Sequence, residues 1–183
     1  MEETFTELCQ RYAPAPGDPG TGTGTDKTTQ HAYGPVYDAL FEGLRDVVEH
    51  VVELGVDSGA SAVALATYFS RARVTGIDIT LANVRFTHPR VVFRQGDATQ
   101  PCLLEEDVDI VIDDASHRLE DQLAALAVWG PRARRMMIIE DVASPSFEAF
   151  AHVAAKLGLV METYDLRAQT GRFDDCLLVF RRP

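Results

Sequence analysis

At 183 residues the chain is long enough for one domain with a self-sufficient core, and its apolar content of 46% is that of an ordinary globular protein. A formal net charge of −11 excludes a general nucleic-acid binder, because neutralising phosphates takes surplus Lys and Arg. The acidic start MEETFTELCQ has no signal-peptide core, no apolar run approaches the roughly 18 residues of a membrane span, and Cys9, Cys102 and Cys176 show neither zinc nor disulfide spacing, so a soluble, cytoplasmic protein with reduced thiols is expected.

In chain order, Pro14 to Asp26 (PAPGDPGTGTGTD) is turn and linker chemistry. Residues 1–33 read as an N-terminal segment with a flexible Gly/Pro/Thr-rich linker or lid, and the Thr-Gly run at 20–25 is expected to stay disordered until a ligand binds. Residues 34–183 read as the main domain. A helix is predicted over 34–46, with Val36, Leu40, Phe41 and Leu44 on one face, to pack on the sheet or on a second subunit. Then come a strand (48–55), a helix (60–70), strands at 73–80, 90–97 and 108–115, a helix (119–129), a strand (134–141) and a helix (146–158) closed by Gly158. Two strands, 159–167 and 174–182, finish the chain across a short polar turn. Alternating apolar strands and helices imply parallel crossovers. The expected fold is α/β: a Rossmann-like doubly wound sheet of about seven strands, mostly parallel, with a C-terminal antiparallel hairpin.

In such sheets the ligand sits at the carboxyl ends of the strands. The first strand ends VVELGVDSGASA, presenting Glu53, Gly55, Asp57, Ser58, Gly59 and Ser61. Glycines let a ligand approach the backbone, and the following helix points its N-terminus there. The second strand ends at Asp78, placed to accept from a ribose hydroxyl pair, and the third at Asp97, beside an adenine position. A tight turn with two capping aspartates would explain each feature alone; together they favour a nucleoside site. A dinucleotide fingerprint wants glycine where Asp57 stands, and a carboxylate is a poor neighbour for pyrophosphate, which favours a methyl donor over NAD.

The fourth strand delivers VIDDASH, with Asp113, Asp114 and His117, and the fifth delivers Glu140 and Asp141. Four carboxylates on adjacent strand ends repel unless a cation or proton offsets them. Oxygen ligands point to a hard divalent ion such as Mg²⁺. Strand alternation sends Asp113 and Asp114 to opposite sides, one for the nucleoside or the fold and one for the metal. Helix capping by Ser116 and Glu120 is the bland alternative.

ELGVDSGAS, GIDI, IDDASH and IIED, in this order, resemble class I S-adenosylmethionine-dependent methyltransferases. They look most like the metal-dependent sugar O-methyltransferases of macrolide and related natural-product pathways, and GTDKTTQHAYGPVYDALFEGLR resembles that family's segment before the first strand. The resemblance covers residues 20–183. It implies Mg²⁺ or another divalent cation on Asp114, Glu140 and Asp141, and His117 as general base. It implies S-adenosylmethionine lined by Glu53, Gly55, Ser61, Asp78 and Asp97, with Asp113 nearby. Lys27, His31, Tyr33 and Tyr37 would belong to a lid or helix over donor and acceptor, Lys27 and Tyr33 on the cofactor side. The chain is short for the family, so the acceptor would have few contacts or a partner subunit would complete the pocket.

The implied reaction is Mg-assisted methylation of a hydroxyl, a sugar hydroxyl first, on a small-molecule acceptor. Neighbouring hydroxyls chelating the ion would be acidified, and an imidazole of ordinary pKa about 6.5 suits the proton transfer. Alternatives are a metal-dependent catechol or phenol O-methyltransferase, a cephalosporin-hydroxylase-like protein, and a non-catalytic nucleoside-binding subunit. Oligomeric state is open, a homo-oligomer included.

Overall fold

The computed structural model describes residues 2–15, 22–100 and 106–183. Five strands run parallel: β1 (His50–Leu54), β2 (Arg73–Asp78), β3 (Val91–Gln95), β4 (Val108–Asp113) and β5 (Ala133–Ile139). They are followed by β6 (Val160–Asp165) and β7 (Cys176–Arg181), and β7 lies antiparallel between β5 and β6. The full order is β3-β2-β1-β4-β5-β7-β6. The order reverses between β1 and β4, which is where an open α/β sheet forms its ligand crevice.

Both faces of the sheet are covered, and strand alternation decides which residue serves which face. Val51, Ile110, Ile112 and Ile138 point to one side and pack with helices α1 (Phe5–Arg11), α2 (Gly34–Phe41) and α3 (Ala60–Tyr68). Val52, Leu54, Val111, Met137 and Ile139 point to the other and pack with α4 (Leu119–Trp129) and α5 (Phe147–Lys156). β1 and β4 are buried along their whole length, as expected of central strands.

Helix α1 is not predicted by the sequence analysis. Thr4 and Glu7 form a capping box at its start. Phe5 is fully buried, with ring centroids 5.2 Å from Tyr37, 5.2 Å from Phe41 and 5.9 Å from Tyr68. Burying such a ring stabilises by roughly 1.5–3 kcal/mol, and Leu8 and Cys9 of the same helix are buried with it.

The elements fall where expected with ends shifted by a few residues, and the larger differences are local. The helix predicted over 34–46 stops at Phe41, because Glu42 turns extended (ψ 129) and Gly43 takes φ +72. Its apolar side chains Tyr37, Leu40 and Phe41 are buried in the chain's own core. The first strand begins at His50 rather than 48. The link between the last two strands holds a short helix, α6 (Arg167–Thr170), ended by Gly171 at φ +75. The expected linker is described only in part, and residues 16–21 lie outside the described residues. The part that follows is fastened down: Ser58 Oγ donates to the Gly24 carbonyl at 3.1 Å, and Thr25 N–H donates to the Tyr12 carbonyl at 3.0 Å.

Candidate active site

The register sets the site. Leu54 pairs with Asp113, and Asp113 pairs with Ile139, so the carboxyl ends of β1, β4 and β5 finish side by side. Gly55 follows β1 at φ +79, and a Cβ there would stand 2.1 Å from the Asp114 carbonyl oxygen. Only glycine lets the β1 and β4 ends approach so closely. Gly59, at φ +82, starts α3 under Phe93 in the same way.

A cavity of about 650 Å³ opens over these ends, the size of a small-ligand site. Glu53, Gly55, Ser61, Asp78, Asp97 and Asp113, the predicted nucleoside residues, all line it. Glu53 is fully buried, and neither of its carboxylate oxygens has a hydrogen-bond partner. Ser61 Oγ and Asp113 Oδ2 are likewise buried and unpartnered. Burial pushes Glu53 up to about 7, with the Lys27 charge opposing, and burial pushes Asp113 up to about 7. Unpaired buried carboxylates are costly. A cationic, hydrogen-bonding ligand in the cavity would satisfy them.

Asp78 Oδ2 accepts from the Val56 and Asp57 N–H groups at 2.8 and 3.2 Å, and Oδ1 accepts from Thr80 N–H at 3.0 Å, so this carboxylate also shapes the glycine loop. Asp97 is exposed and caps its own turn through Thr99, which holds its pKa below the ordinary value. Asp57 lies in the left-handed region (φ +39) and accepts from Gly22 N–H and from Asn83 Nδ2 at 2.8 Å. The residue where a dinucleotide site would want glycine is therefore an anchor for the N-terminal segment.

Beside the cavity the second group assembles. His117 Nε2 lies 3.3 Å from Asp114 Oδ1 and 3.3 Å from Asp141 Oδ2. Ligand atoms of Asp114, His117 and Asp141 fall within 4.8 Å of one another, the spacing of a metal set. Among the described residues only Asp57, His117 (φ +55) and Asp141 (φ +52) are non-glycines in the left-handed region. Such a conformation is costly for a side chain and gathers where geometry is over-determined. The hydrogen bond to Asp114, together with the charges of Asp114 and Asp141, raises His117 to about 9.

Glu140 does not join that set. Its Oε1 receives Lys27 Nζ at 2.7 Å and the Tyr37 phenol, while its carbonyl accepts Gln122 Nε2 at 2.9 Å. Lys27 also reaches Asp114 Oδ2 at 2.5 Å. Lys27 and Tyr33 thus lie behind the cavity wall rather than on its lining: Lys27 is 1% exposed, and Tyr33 donates to Asp141 Oδ1 at 2.5 Å. Burial works against the Lys27 charge, but Asp114 and Glu140 outweigh it and hold its pKa well above the ordinary value. Burial and the neighbouring carboxylates push Glu140 up, whereas Lys27 and His117 overcome burial to hold Asp114 below the usual range.

His31 extends the cluster, with Nδ1 2.9 Å from Asp175 Oδ1 and 3.2 Å from Asp141 Oδ1. Asp175 is fully buried and also accepts from Thr170 Oγ1 at 2.6 Å. Sequence reasoning missed it. The available signal was the antiparallel ending: an antiparallel β7 starts where β5 ends, so the acid just before β7 arrives at the same edge of the sheet.

A parallel sheet with an antiparallel seventh strand inserted between the fifth and sixth is the class I S-adenosylmethionine-dependent methyltransferase fold. Within that fold the structure is similar to the methyltransferase MycE of the mycinamycin biosynthetic pathway in complex with Mg and SAH, with TM-score 0.74 and 20% identity over 99% of this chain and 55% of that one. A second MycE complex, with Mg, SAH and mycinamycin VI, gives TM-score 0.73 at 20% identity over 98% and 54%. An O-methyltransferase family protein from Burkholderia thailandensis gives TM-score 0.60 at 14% identity over 86% and 58%. The chain thus spans about half the length of MycE. No family model matches it, and no curated protein matches it in sequence. No helix among the described residues is long and apolar enough to cross a membrane.

Proposed function

We propose that the chain is an S-adenosylmethionine-dependent O-methyltransferase that methylates a hydroxyl of a small natural product or its glycoside with the help of a divalent cation. The observation that carries this reading is the meeting, at one sheet edge, of a cavity lined by the buried Glu53 carboxylate, Asp113 Oδ2 and Ser61 Oγ, none with a hydrogen-bond partner, with the Asp114–His117–Asp141 group. The similar fold of MycE, solved with Mg, SAH and mycinamycin VI, supports it.

The cavity residues fit the donor. Glu53 and Asp113 offer buried negative charge to its cationic end, Asp78 faces a ribose position at the end of β2, and the glycine loop leaves room at the backbone. The donor supplies an electrophilic methyl group. The second group fits a hard divalent ion through the Asp114 and Asp141 carboxylates, which converge on one side with the His117 imidazole beside them. Asp114 and Asp141 would hold it, with Glu140 within reach through its own shift. Such an ion supplies charge that lowers the pKa of a neighbouring acceptor hydroxyl and of the His117 imidazolium.

The chain's own residues do the rest. His117 Nε2, half-exposed and facing the cavity, accepts the acceptor's proton. Asp114 and Asp141 both lie 3.3 Å from that nitrogen and stabilise the charged form of the imidazole that results. Tyr33 and Gln122 hold the chain after β5 so that these carboxylates keep their separation. Much of the acceleration would come from fixing two reactants in one cavity.

Methyl transfer from S-adenosylmethionine to a panel of vicinal diols, catechols and deoxysugar glycosides tests the reading. Turnover on any of them that is lost in Asp114→Asn supports it. Turnover that survives both chelator and Asp114→Asn removes the cation from it. The alternative of a phenol or catechol acceptor is decided by the same panel.

A further inference from the structure

The carboxylates expected to hold a divalent ion are already engaged by a cation that the chain supplies. Lys27 Nζ donates to Asp114 Oδ2 at 2.5 Å and to Glu140 Oε1 at 2.7 Å, and the side chain is 1% exposed. Asp114's other oxygen faces His117, and Glu140 Oε1 also receives Tyr37. Lys27 is carried on residues 22–33, which lie outside the sheet. At its C-terminal end the segment is also attached there, by Tyr33 and His31 on Asp141 and His31 on Asp175, while its start is held by Asp57, Ser58 and Tyr12. Gly24, Thr25 and Asp26 of the segment form part of the cavity wall. The chain that leads out of this wall is therefore pinned to the β4 and β5 ends through acidic side chains, beginning at Lys27, the residue next to Asp26.

We propose that Lys27 is a positioning residue that sets the divalent-ion affinity of the site, its ammonium competing with the ion for Asp114 and Glu140, so that tight ion binding and the docked position of residues 22–33 oppose one another. An ion drawing these two carboxylates together would meet an ammonium within hydrogen-bond distance of both, in a place where water and salt screen little. The ion then binds weakly through Asp114 and Asp141 with Lys27 in place, or gains Glu140 by expelling Lys27. A lysine suits this role, because its head is strongly hydrated and its stem has the freedom to leave. Expulsion would loosen the wall at residues 24–26 and change access to the cavity.

This inference rests on reading Asp114 and Asp141 as ligands of a divalent ion. Mn²⁺ binding to the full chain, followed by calorimetry, tests it on the wild type, Lys27→Met and Lys27→Arg. The expected result is roughly 10-fold tighter binding in Lys27→Met, with Lys27→Arg close to wild type, since coupling between sites of this kind runs to one or two decades. Equal affinity in the wild type and Lys27→Met overturns the competition and leaves the ion reading standing. No Mn²⁺ binding to either removes the ion reading and the proposal with it. Lys27→Met strands two buried carboxylates, so a wild-type measurement stands beside it. Tryptic cleavage after Lys27 should speed up as Mn²⁺ is added and should lose that response in Asp114→Asn. Cleavage that Mn²⁺ slows or leaves unchanged overturns the proposal.

Discussion

Tyr33 and Asp141 are joined twice. The phenol donates to Asp141 Oδ1 at 2.5 Å, and the Asp141 backbone N–H donates back to the phenol oxygen at 3.2 Å. Both residues are buried, and the pair fixes the left-handed turn (φ +52) from which Asp141 faces His117. Tyr33→Phe removes both bonds and leaves a buried N–H and a buried carboxylate oxygen without that partner. The expected cost is about 1–3 kcal/mol in urea unfolding. An unchanged midpoint would show that the turn is held by other contacts.

Gly55→Ala should be among the most damaging single changes. The new Cβ would need left-handed backbone and would overlap the Asp114 carbonyl oxygen at 2.1 Å. Strain of this kind costs roughly 1–3 kcal/mol, and pushing β1 from β4 adds to it. Reduced stability should come with a loss of S-adenosylhomocysteine affinity of about 10-fold or more, because the β4 end carries Asp113 and Asp114. Full affinity in the alanine variant would contradict the close-approach argument.

Much of the fold is written locally. The alternation of apolar strands and helices, and the two final strands without a crossover helix, announce a mostly parallel sheet with an antiparallel ending, and the strands take that order. The cavity lining is legible for the same reason: Glu53, Asp78, Asp97 and Asp113 stand at or just after strand ends, which a parallel sheet gathers on one side. Lys27, His31, Tyr33 and Tyr37 are not placed by any local rule. Their positions depend on how a segment outside the sheet folds back onto β4 and β5, with partners 87 to 144 residues away in sequence. Periodicity carries no information about contacts of that range. Helix α1 escapes notice because seven residues with one buried aromatic are too short a pattern to stand out.

Stability should fall as pH rises above about 4.5. Glu53 and Asp113 are held near 7 when folded, against 4.5 and 3.8 for the free groups. Between those values the unfolded chain has released protons that the folded chain keeps. Their contribution is therefore fully present below the unfolded values and is lost as pH rises through about 7. His117, raised from 6.5 to about 9, adds a second loss in the same direction at higher pH, between about 6.5 and 9. Asp114, held below its ordinary value, acts oppositely and only toward acid. Glu53→Gln should flatten the decline between pH 4.5 and 7 by an amount on the order of 3 kcal/mol. Parallel stability curves for the two proteins would show that Glu53 is not held protonated by burial.

His117→Ala should separate binding from chemistry. The side chain is half-exposed and its ion-pair partners are Asp114 and Asp141, so S-adenosylhomocysteine affinity should stay within about 2-fold of wild type. Turnover on a hydroxyl acceptor should fall by roughly 10²–10⁴, the usual worth of a general base. An unaffected rate would move the proton to another acceptor.

If the cavity over β1, β2 and β4 takes an adenosyl donor beside a divalent ion, calorimetric titration of S-adenosylhomocysteine into the full chain, once with Mg²⁺ and once with chelator, will show it. Micromolar binding is expected, weakened by Asp78→Ala, with a heat change on Mg²⁺ addition that Asp114→Ala abolishes. Absence of binding under both conditions would leave the methyltransferase fold without the methyltransferase ligand.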